Sequence, residues 1–277
     1  MKKLAKKLLI MAVLVFGLLI PASSQEAQAA KKIVNMPMFE NKYMAHAFSR
    51  YNGKGYQNTK EAFLNAINQG YKYLETDLSL TSDGKVVCSH GWTKSACKAT
   101  GMTYKSSFKN MTRAMFLKQK VNGCTTLDAR GLYKLLKKYP DVYIELDLKA
   151  SDWKTAKKIM KQFIKDCKKD ASVLDRCLVQ VGTYKTYREI NKLYKFKYYQ
   201  MITLKGKTVA QFEKVAKFCK KNKIGAIALN KSDCTKKNIA LFKKYGMYIL
   251  AYSTDSKSKA KKLFDLGVDT ICTGKLK

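Results

Sequence analysis

The chain has 277 residues, with 55 basic and 20 acidic side chains and a formal net charge of +35. Its length suits one domain, and no linker rich in proline, glycine or serine, low-complexity tract or short-period repeat indicates a second. The charge does not specify a fold, but it attracts polyanions at low salt.

Residues 1–29 have the pattern of a secretory signal peptide. Four lysines precede a continuous apolar run at residues 8–20, and Ala27-Gln28-Ala29 supplies a small-x-small cleavage pattern. The run is shorter than the ~20 residues that span a bilayer, which argues against a membrane anchor. We therefore expect secretion and a mature domain at residues 30–277. Removal of four lysines and one glutamate leaves it a formal charge of +32.

The charge of an exported chain favours particular partners. Anionic lipid headgroups at a membrane surface, or a phosphate-rich wall polymer, are the expected polyanions, and a solvated lysine-rich surface without a dedicated partner is the alternative. The lysines are scattered over every segment, so we expect no specific nucleic-acid site. We expect a monomer, associated with the cell surface only by charge.

The eight cysteines permit several states. Their even number in an exported protein allows disulfides, but the spacing predicts no particular pairs. The sequence has no Cys-x-x-Cys pair, and its two histidines belong to another pattern, so zinc is not indicated. Cys88 precedes His90 by two residues on one strand face, where a buried thiol is as reasonable as a bridge.

Two histidines flank a strand that carries two acids. His46 and His90 are the only histidines, and each ends a short apolar run. Between them, residues 73–78 read as a strand on which Glu75 and Asp77 share one face, because successive side chains alternate. Two carboxylates on one face of an apolar strand repel each other and lose hydration, so they need a cation or a donor network. A hard divalent metal is the simplest such cation.

The segments around this strand have distinct patterns. Residues 48–57 predict an irregular loop because of two glycines, and Asn58 with Glu61 resembles a capping box for a helix at 58–69. The turn at 81–84 leads directly into a strand at 86–90, with no room for a helix. Residues 95–123 read as a long irregular loop above the site.

The second half alternates strands and helices. A strand at 141–149 places Glu145, Asp147 and Lys149 on one face. Further helices are predicted at 127–138, 153–168, 184–193, 209–222, 236–245 and 257–266, and further strands at 177–181, 198–203, 226–229, 248–252 and 270–273. Such alternation indicates a parallel sheet, and at this length a closed barrel. Nine candidate strands compete for eight places, so one is extra.

Several motifs in fixed order carry a family resemblance. They are Ala45-His46, Gln57-Asn58-Thr59-Lys60-Glu61-Ala62-Phe63, Glu75-Thr76-Asp77, Thr81-Ser82-Asp83-Gly84 and His90. The series resembles the N-terminal signature of glycerophosphodiester phosphodiesterases, and the end of the chain, with Tyr252 at a usual tryptophan, resembles the family again. The resemblance implies an α/β TIM (β/α)8 barrel with a shortened, helix-less second crossover. It also implies phosphodiester cleavage by two histidines and a metal.

The resemblance assigns roles residue by residue. It implies His46 and His90 as acid and base in either order, Glu75, Asp77 and Asp147 as ligands of Mg²⁺ or Ca²⁺ with Glu145 as the alternative third ligand, and Lys149 on the phosphate. The substrate would be a glycerophosphodiester or a related small molecule, a phospholipid headgroup or poly(glycerol phosphate). Its alcohol is not specified.

The chain departs from the family pattern at three places. It has His46-Ala47-Phe48 where His-Arg-Gly is usual, Tyr56-Gln57 where Pro-Glu is usual, and Gly91 where an aspartate follows the second histidine. The missing arginine leaves open how the phosphate is held. Two alternatives therefore stand beside the secreted metal-dependent phosphodiesterase: a metal-independent phospholipase C-like lyase, and a non-catalytic binder of anionic wall polymer or membrane.

Overall fold

The computed structural model describes residues 30–203 and 206–277, so the predicted signal peptide lies outside the described residues. The strands are β1 (Tyr43–Ala45), β2 (Tyr73–Leu80), β3 (Val86–Cys88), β4 (Lys120–Val121), β5 (Cys124–Thr125), β6 (Tyr143–Leu148), β7 (Cys177–Val181), β8 (Tyr198–Ile202), β9 (Ala226–Asn230), β10 (Tyr248–Tyr252) and β11 (Thr270–Thr273). The α-helices are α1 (Lys60–Asn68), α2 (Lys94–Thr100), α3 (Arg113–Leu117), α4 (Ala129–Lys138), α5 (Trp153–Asp166), α6 (Ala171–Leu174), α7 (Tyr184–Asn191), α8 (Val209–Lys221), α9 (Lys236–Lys244) and α10 (Lys257–Asp265). Short 3-10 turns lie at Pro37–Glu40, His46–Phe48 and Ser106–Asn110.

Eight parallel strands close into a barrel. Around it they follow the order β1, β2, β6, β7, β8, β9, β10 and β11, and β11 pairs with β1 to complete the circle. Helices follow most strands on the outside, which is the arrangement of a TIM barrel. The predicted fold class is confirmed. In this fold the loops at the carboxyl ends of the strands form the site.

The extra strand of the sequence prediction is β3. It pairs antiparallel with β2, with Leu78 opposite Cys88 and Leu80 opposite Val86. An antiparallel partner needs only a tight turn, whereas a parallel one needs a crossover of about a dozen residues or more. The helix-less connection at 81–85 is therefore a hairpin, and α4 lies on the true crossover from β2 to β6. The prediction that residues 81–85 form a shortened, helix-less second crossover was wrong.

The segment at 95–123 is not the irregular loop that the sequence predicted. It holds α2, a 3-10 turn, α3 and most of the small β4–β5 hairpin. Its buried side chains Phe108, Met111 and Phe116 pack with Val87 of β3 in a separate apolar cluster. The segment is thus a small folded insertion that rests on β3.

The helices pack by a regular apolar stripe. On α5 the buried residues are Ala156, Ile159, Met160, Phe163 and Ile164, spaced as one helical face. Asp152 caps this helix by accepting hydrogen bonds from the backbone amides of Lys154 and Thr155. Burial of a side chain such as Phe163 contributes about 2 kcal/mol, which fixes the helix against the barrel.

The bottom of the barrel is closed by the N-terminal segment. One buried apolar cluster holds Met36, Met38 and Phe39 of this segment together with Tyr73 of β2 and Leu250 of β10. The 3-10 turn Pro37–Glu40 lies in this segment, and Met38 and Phe39 within it are buried. The carboxyl ends of the strands remain the accessible face.

All eight cysteines lie in the described part of the chain, where each is a free buried thiol. Burial raises the pKa of Cys88 to about 12. Of the two states left open for Cys88, the structure shows the buried thiol. Among the helices of residues 30–203 and 206–277, none is long and apolar enough to cross a membrane.

Candidate active site

Three acids converge at the carboxyl end of two neighbouring strands. β2 carries Glu75 and Asp77, and β6 carries Asp147, whose Cα is the register partner of Asp77. Carboxylate oxygens of the three lie within 4.8 Å of one another. Glu75 is 3% and Asp77 1% exposed. The strand period that the sequence showed therefore brings these acids into one cluster.

Lys149 bridges two of the acids. Its Nζ lies 2.8 Å from Asp77 Oδ1 and 2.6 Å from Asp147 Oδ2. Burial lowers the pKa of Lys149, but the charges of Asp77 and Asp147 outweigh that effect and raise it above its ordinary value. Lys149 is thus charged, and it is directed at the acids.

Glu75 is the acid of this cluster that has a buried oxygen without a hydrogen-bond donor. Its Oε2 accepts a hydrogen bond of 2.7 Å from the backbone amide of Ala47, whereas its buried Oε1 finds no partner within the described residues. Burial, and then the charges of Asp77 and Asp147, raise the pKa of Glu75 well above its usual range. A carboxylate oxygen without a partner is costly in a buried site. Three converging carboxylates and one unmatched oxygen fit a divalent cation, which prefers oxygen ligands.

Asn58, which the sequence predicts at the helix cap, contacts the acid cluster instead. Its Nδ2 donates to Asp77 Oδ2 at 2.7 Å, and its Oδ1 accepts from Thr76 Oγ1 at 2.8 Å and from the amide of Asp77 at 3.1 Å. The left-handed backbone of Asn58, with φ 48°, turns its side chain inward. Asn58 therefore orients Asp77.

The capping box predicted from Asn58 and Glu61 was wrong. The residue that caps α1 is Thr59, whose hydroxyl accepts from the amide of Ala62 at 3.3 Å. The carboxylate of Glu61 instead accepts from the amide of Thr125 at 2.8 Å. Thr59 therefore has a structural role at the start of α1.

The two histidines face the same aromatic ring. His46 begins the turn after β1, and His90 follows β3. The ring centroid of Tyr56 lies 5.0 Å from that of His46 and 5.5 Å from that of His90, edge-on to each. Burial lowers the pKa of His46, and the charges of Asp77 and Lys149 also act on it. The structure thus brings both imidazoles to one aromatic ring, with Tyr56 between them.

The backbone after His46 is strained. Ala47, Phe48 and Ser49 have φ values of 46°, 64° and 73°, a region that favours glycine. Phe48 stands where the family pattern has glycine, and its buried ring packs edge-on against Phe63 at 5.3 Å. The turn directs the amide of Ala47 at Glu75. Packing of Phe48 offsets the strain and fixes that contact.

Glu145 lies one residue pair below Asp147 on β6 and has neutral partners. Its Oε2 accepts from the hydroxyl of Tyr73 at 2.9 Å and from Nε2 of Gln200 at 3.0 Å. Burial raises the pKa of Glu145 to about 8. The geometry groups Asp147 with Glu75 and Asp77, and it leaves Glu145 outside that group.

Comparison with known proteins supports the same family. A family model described as the Glycerophosphoryl diester phosphodiesterase family matches residues 46–276. A search of curated proteins finds no match.

Solved structures share the fold. An Oleispira antarctica phosphodiesterase in complex with the product sn-glycerol-3-phosphate is 17% identical, with a TM-score of 0.68, 85% of this chain and 94% of that chain covered. A glycerophosphodiester phosphodiesterase from Parabacteroides distasonis is 16% identical, with a TM-score of 0.67 and coverage of 88% and 94%. One from Thermotoga maritima is 18% identical, with a TM-score of 0.63 and coverage of 84% and 94%. These likenesses show the barrel, and the family match goes further: the chain belongs to the glycerophosphoryl diester phosphodiesterase family and is a phosphoric diester hydrolase.

Proposed function

We propose that the protein hydrolyses glycerophosphodiesters with a divalent cation, Mg²⁺ or Ca²⁺, held by Glu75, Asp77 and Asp147. The observation that carries the proposal is the convergence of three carboxylates around an unpartnered oxygen of Glu75. When bound, such a cation neutralises charge on the phosphate oxygens. Glu145 is not proposed as a ligand, because it lies outside the group of three converging carboxylates and its Oε2 faces Tyr73 and Gln200.

The histidines divide the proton transfers. Because burial lowers the pKa of His46, its imidazole is neutral near pH 7 and is suited to accept a proton from the nucleophile. The nucleophile is water or a neighbouring hydroxyl of the substrate. His90, exposed on the other side of Tyr56, is then the donor to the leaving alkoxide. A phosphodiester anion needs both transfers because its alkoxide is a poor leaving group.

Lys149 is proposed to contact the substrate phosphate. Its charged head is held at the acid cluster by Asp77 and Asp147. The fixed positive charge of Lys149 replaces in part the charge of the arginine that the family pattern has at the position of Ala47. Hydrolysis of a glycerophosphodiester releases glycerol 3-phosphate and an alcohol, and the Oleispira antarctica phosphodiesterase binds the product sn-glycerol-3-phosphate.

The test compares the protein with its His46→Ala variant on glycerophosphodiesters, with and without EDTA. We expect EDTA to abolish activity, Mg²⁺ or Ca²⁺ to restore it, and His46→Ala to lower kcat/KM by about 10²-fold or more. Activity that survives chelation supports the metal-independent phospholipase C-like lyase instead. No turnover of any phosphodiester, with polyanion binding that falls steeply with salt, supports the non-catalytic binder.

We also propose that the protein is secreted as a monomer and associates by charge with anionic membrane or wall polymer. A cavity of about 750 Å³ along α5 supports the association, because five lysines line it: Lys158, Lys161, Lys165, Lys168 and Lys169. Apolar residues Leu80, Ile164 and Leu193 line it as well. Cosedimentation with phosphatidylglycerol vesicles should fall as salt rises, because exposed charges are screened.

A further inference from the structure

A second cavity opens beside His46. It measures about 390 Å³ and is lined, among others, by His46, Arg50, Tyr56, Lys231 and Lys259. The first three follow β1, Lys231 follows β9, and Lys259 lies on α10, the helix after β10. The acid cluster, Lys149 and His90 are not among its lining residues. The cavity therefore shares His46 with the candidate site and is separate from the acids that would hold the cation.

The cavity has an excess of positive charge. Its one acid is Asp255, whose Oδ2 lies 2.9 Å from an Nη of Arg50 and whose Oδ1 accepts from Thr273 and Gly274 at 2.8 and 2.7 Å. Asp255 therefore offsets Arg50 alone. Lys231 donates to the carbonyl of Ser253 at 3.1 Å, and no carboxylate of residues 30–203 or 206–277 pairs with it or with Lys259. Two lysine charges are left without compensation.

The place of the cavity in the fold has a chemical meaning. Counted around the barrel, β10 and β11 are the seventh and eighth strands, and the loops after them contribute Thr254, Asp255 and Gly274 to the cavity. In TIM barrels, the loops after these two strands frequently bind phosphate. The uncompensated lysines supply the charge that such a ligand requires.

We propose that Arg50, Lys231 and Lys259 form a second-phosphate subsite, which binds a phosphate on the part of the substrate that extends beyond His46. The inference rests on the proposed function and narrows its substrate class. Preferred substrates are phosphodiesters whose alcohol carries a further phosphate, either a short glycerol phosphate oligomer or poly(glycerol phosphate). A neutral glycerol binds there less well, and the cation of glycerophosphocholine is repelled.

The experiment measures kcat/KM on three substrates: a glycerol phosphate dimer with a terminal phosphate, glycerophosphoglycerol and glycerophosphocholine. The wild type is compared with the double variant K231Q/K259Q. A control, K257Q/K262Q, removes two exposed charges that do not line the cavity, one of them on the same turn as Lys259. We expect the wild type to prefer the dimer over glycerophosphoglycerol by at least about tenfold, K231Q/K259Q to lose most of that preference, and the control to keep it.

Binding of the dimer to the same three proteins, measured by calorimetry, does not depend on turnover. If no phosphodiester is turned over but the dimer binds in a manner that needs Lys231 and Lys259, the proposed function fails and the subsite stands. If turnover occurs with equal preference in wild type and K231Q/K259Q, or if the control loses as much, the subsite is overturned. Poly(glycerol phosphate) as a fourth substrate separates the sources: a higher kcat/KM than for the dimer favours the polymer, and an equal or lower one favours the oligomer.

Discussion

β2 and β6 each carry two acids with the same spacing, yet the acids have different surroundings. The register sets Glu75 beside Glu145 and Asp77 beside Asp147. Oε2 of Glu145 accepts from two neutral donors, whereas Glu75 keeps a buried oxygen without a partner in the described chain and joins Asp77 and Asp147. Strand period brings all four acids to one face, but only three of them converge on one point, and the fourth faces two neutral donors.

The largest expected effect is the difference in activity between a variant of the converging acids and a variant of Glu145. Asp77→Asn should lower kcat/KM by about 10²- to 10³-fold, because it removes a charge that the proposed cation requires. Glu145→Gln should lower it less than about tenfold, since Gln can still accept from Tyr73 and Gln200. Steady-state kinetics with a Mg²⁺ or Ca²⁺ titration checks both. Equal losses in the two variants would contradict the division of the acids.

A smaller effect is expected at the residue that orients Asp77. Asn58→Ala removes the hydrogen bonds to Asp77 and Thr76, and we expect a loss of about 10- to 100-fold in metal affinity or kcat/KM. The matched control is the next residue, Thr59→Ala, which removes only a helix cap and should cost about 1 kcal/mol of stability with little effect on kcat/KM. If the two variants lose activity equally, Asn58 acts only through folding.

The smallest effect concerns the pH dependence of stability. Burial raises the pKa of Glu145 to about 8 from an ordinary value of 4.5. The folded state therefore binds more protons than the unfolded state between those values, and its free energy of unfolding falls as pH rises from about 4.5 to 8. Glu145→Gln removes this contribution, so its Tm should fall less than that of the wild type between pH 5 and pH 8. Differential scanning calorimetry of both proteins measures the slopes, and parallel slopes would show that Glu145 is ionised when folded.

Much of the barrel and the acid cluster could be predicted from the sequence. Alternating strand and helix patterns gave the parallel sheet, and the period of two placed Glu75 with Asp77 and Asp147 with Lys149 on shared faces. These features depend on local spacing, which a sequence displays directly. The choice between Asp147 and Glu145 depended on Tyr73 and Gln200, which are remote in sequence.

The features that were missed depend on backbone turns and on distant contacts. Asn58 looks like a helix cap until its left-handed φ turns the side chain toward Asp77. Tyr56 reads as a loop residue, and only the folded loop places it between the two histidines. The hairpin of β3 was read as a crossover because a strand pattern does not state its direction. A short connection between two strands was the available signal.

The hairpin has a consequence for how this enzyme can diversify. Seven of the eight barrel strands pair only with parallel neighbours. His90 instead follows β3, which lies outside the closed ring and packs against the insertion at 95–123. Changes in the length or packing of that insertion can therefore shift His90 relative to His46 without breaking the hydrogen bonds between the barrel strands. If the two histidines act as proposed, such shifts change the substrate range while closure of the barrel is preserved.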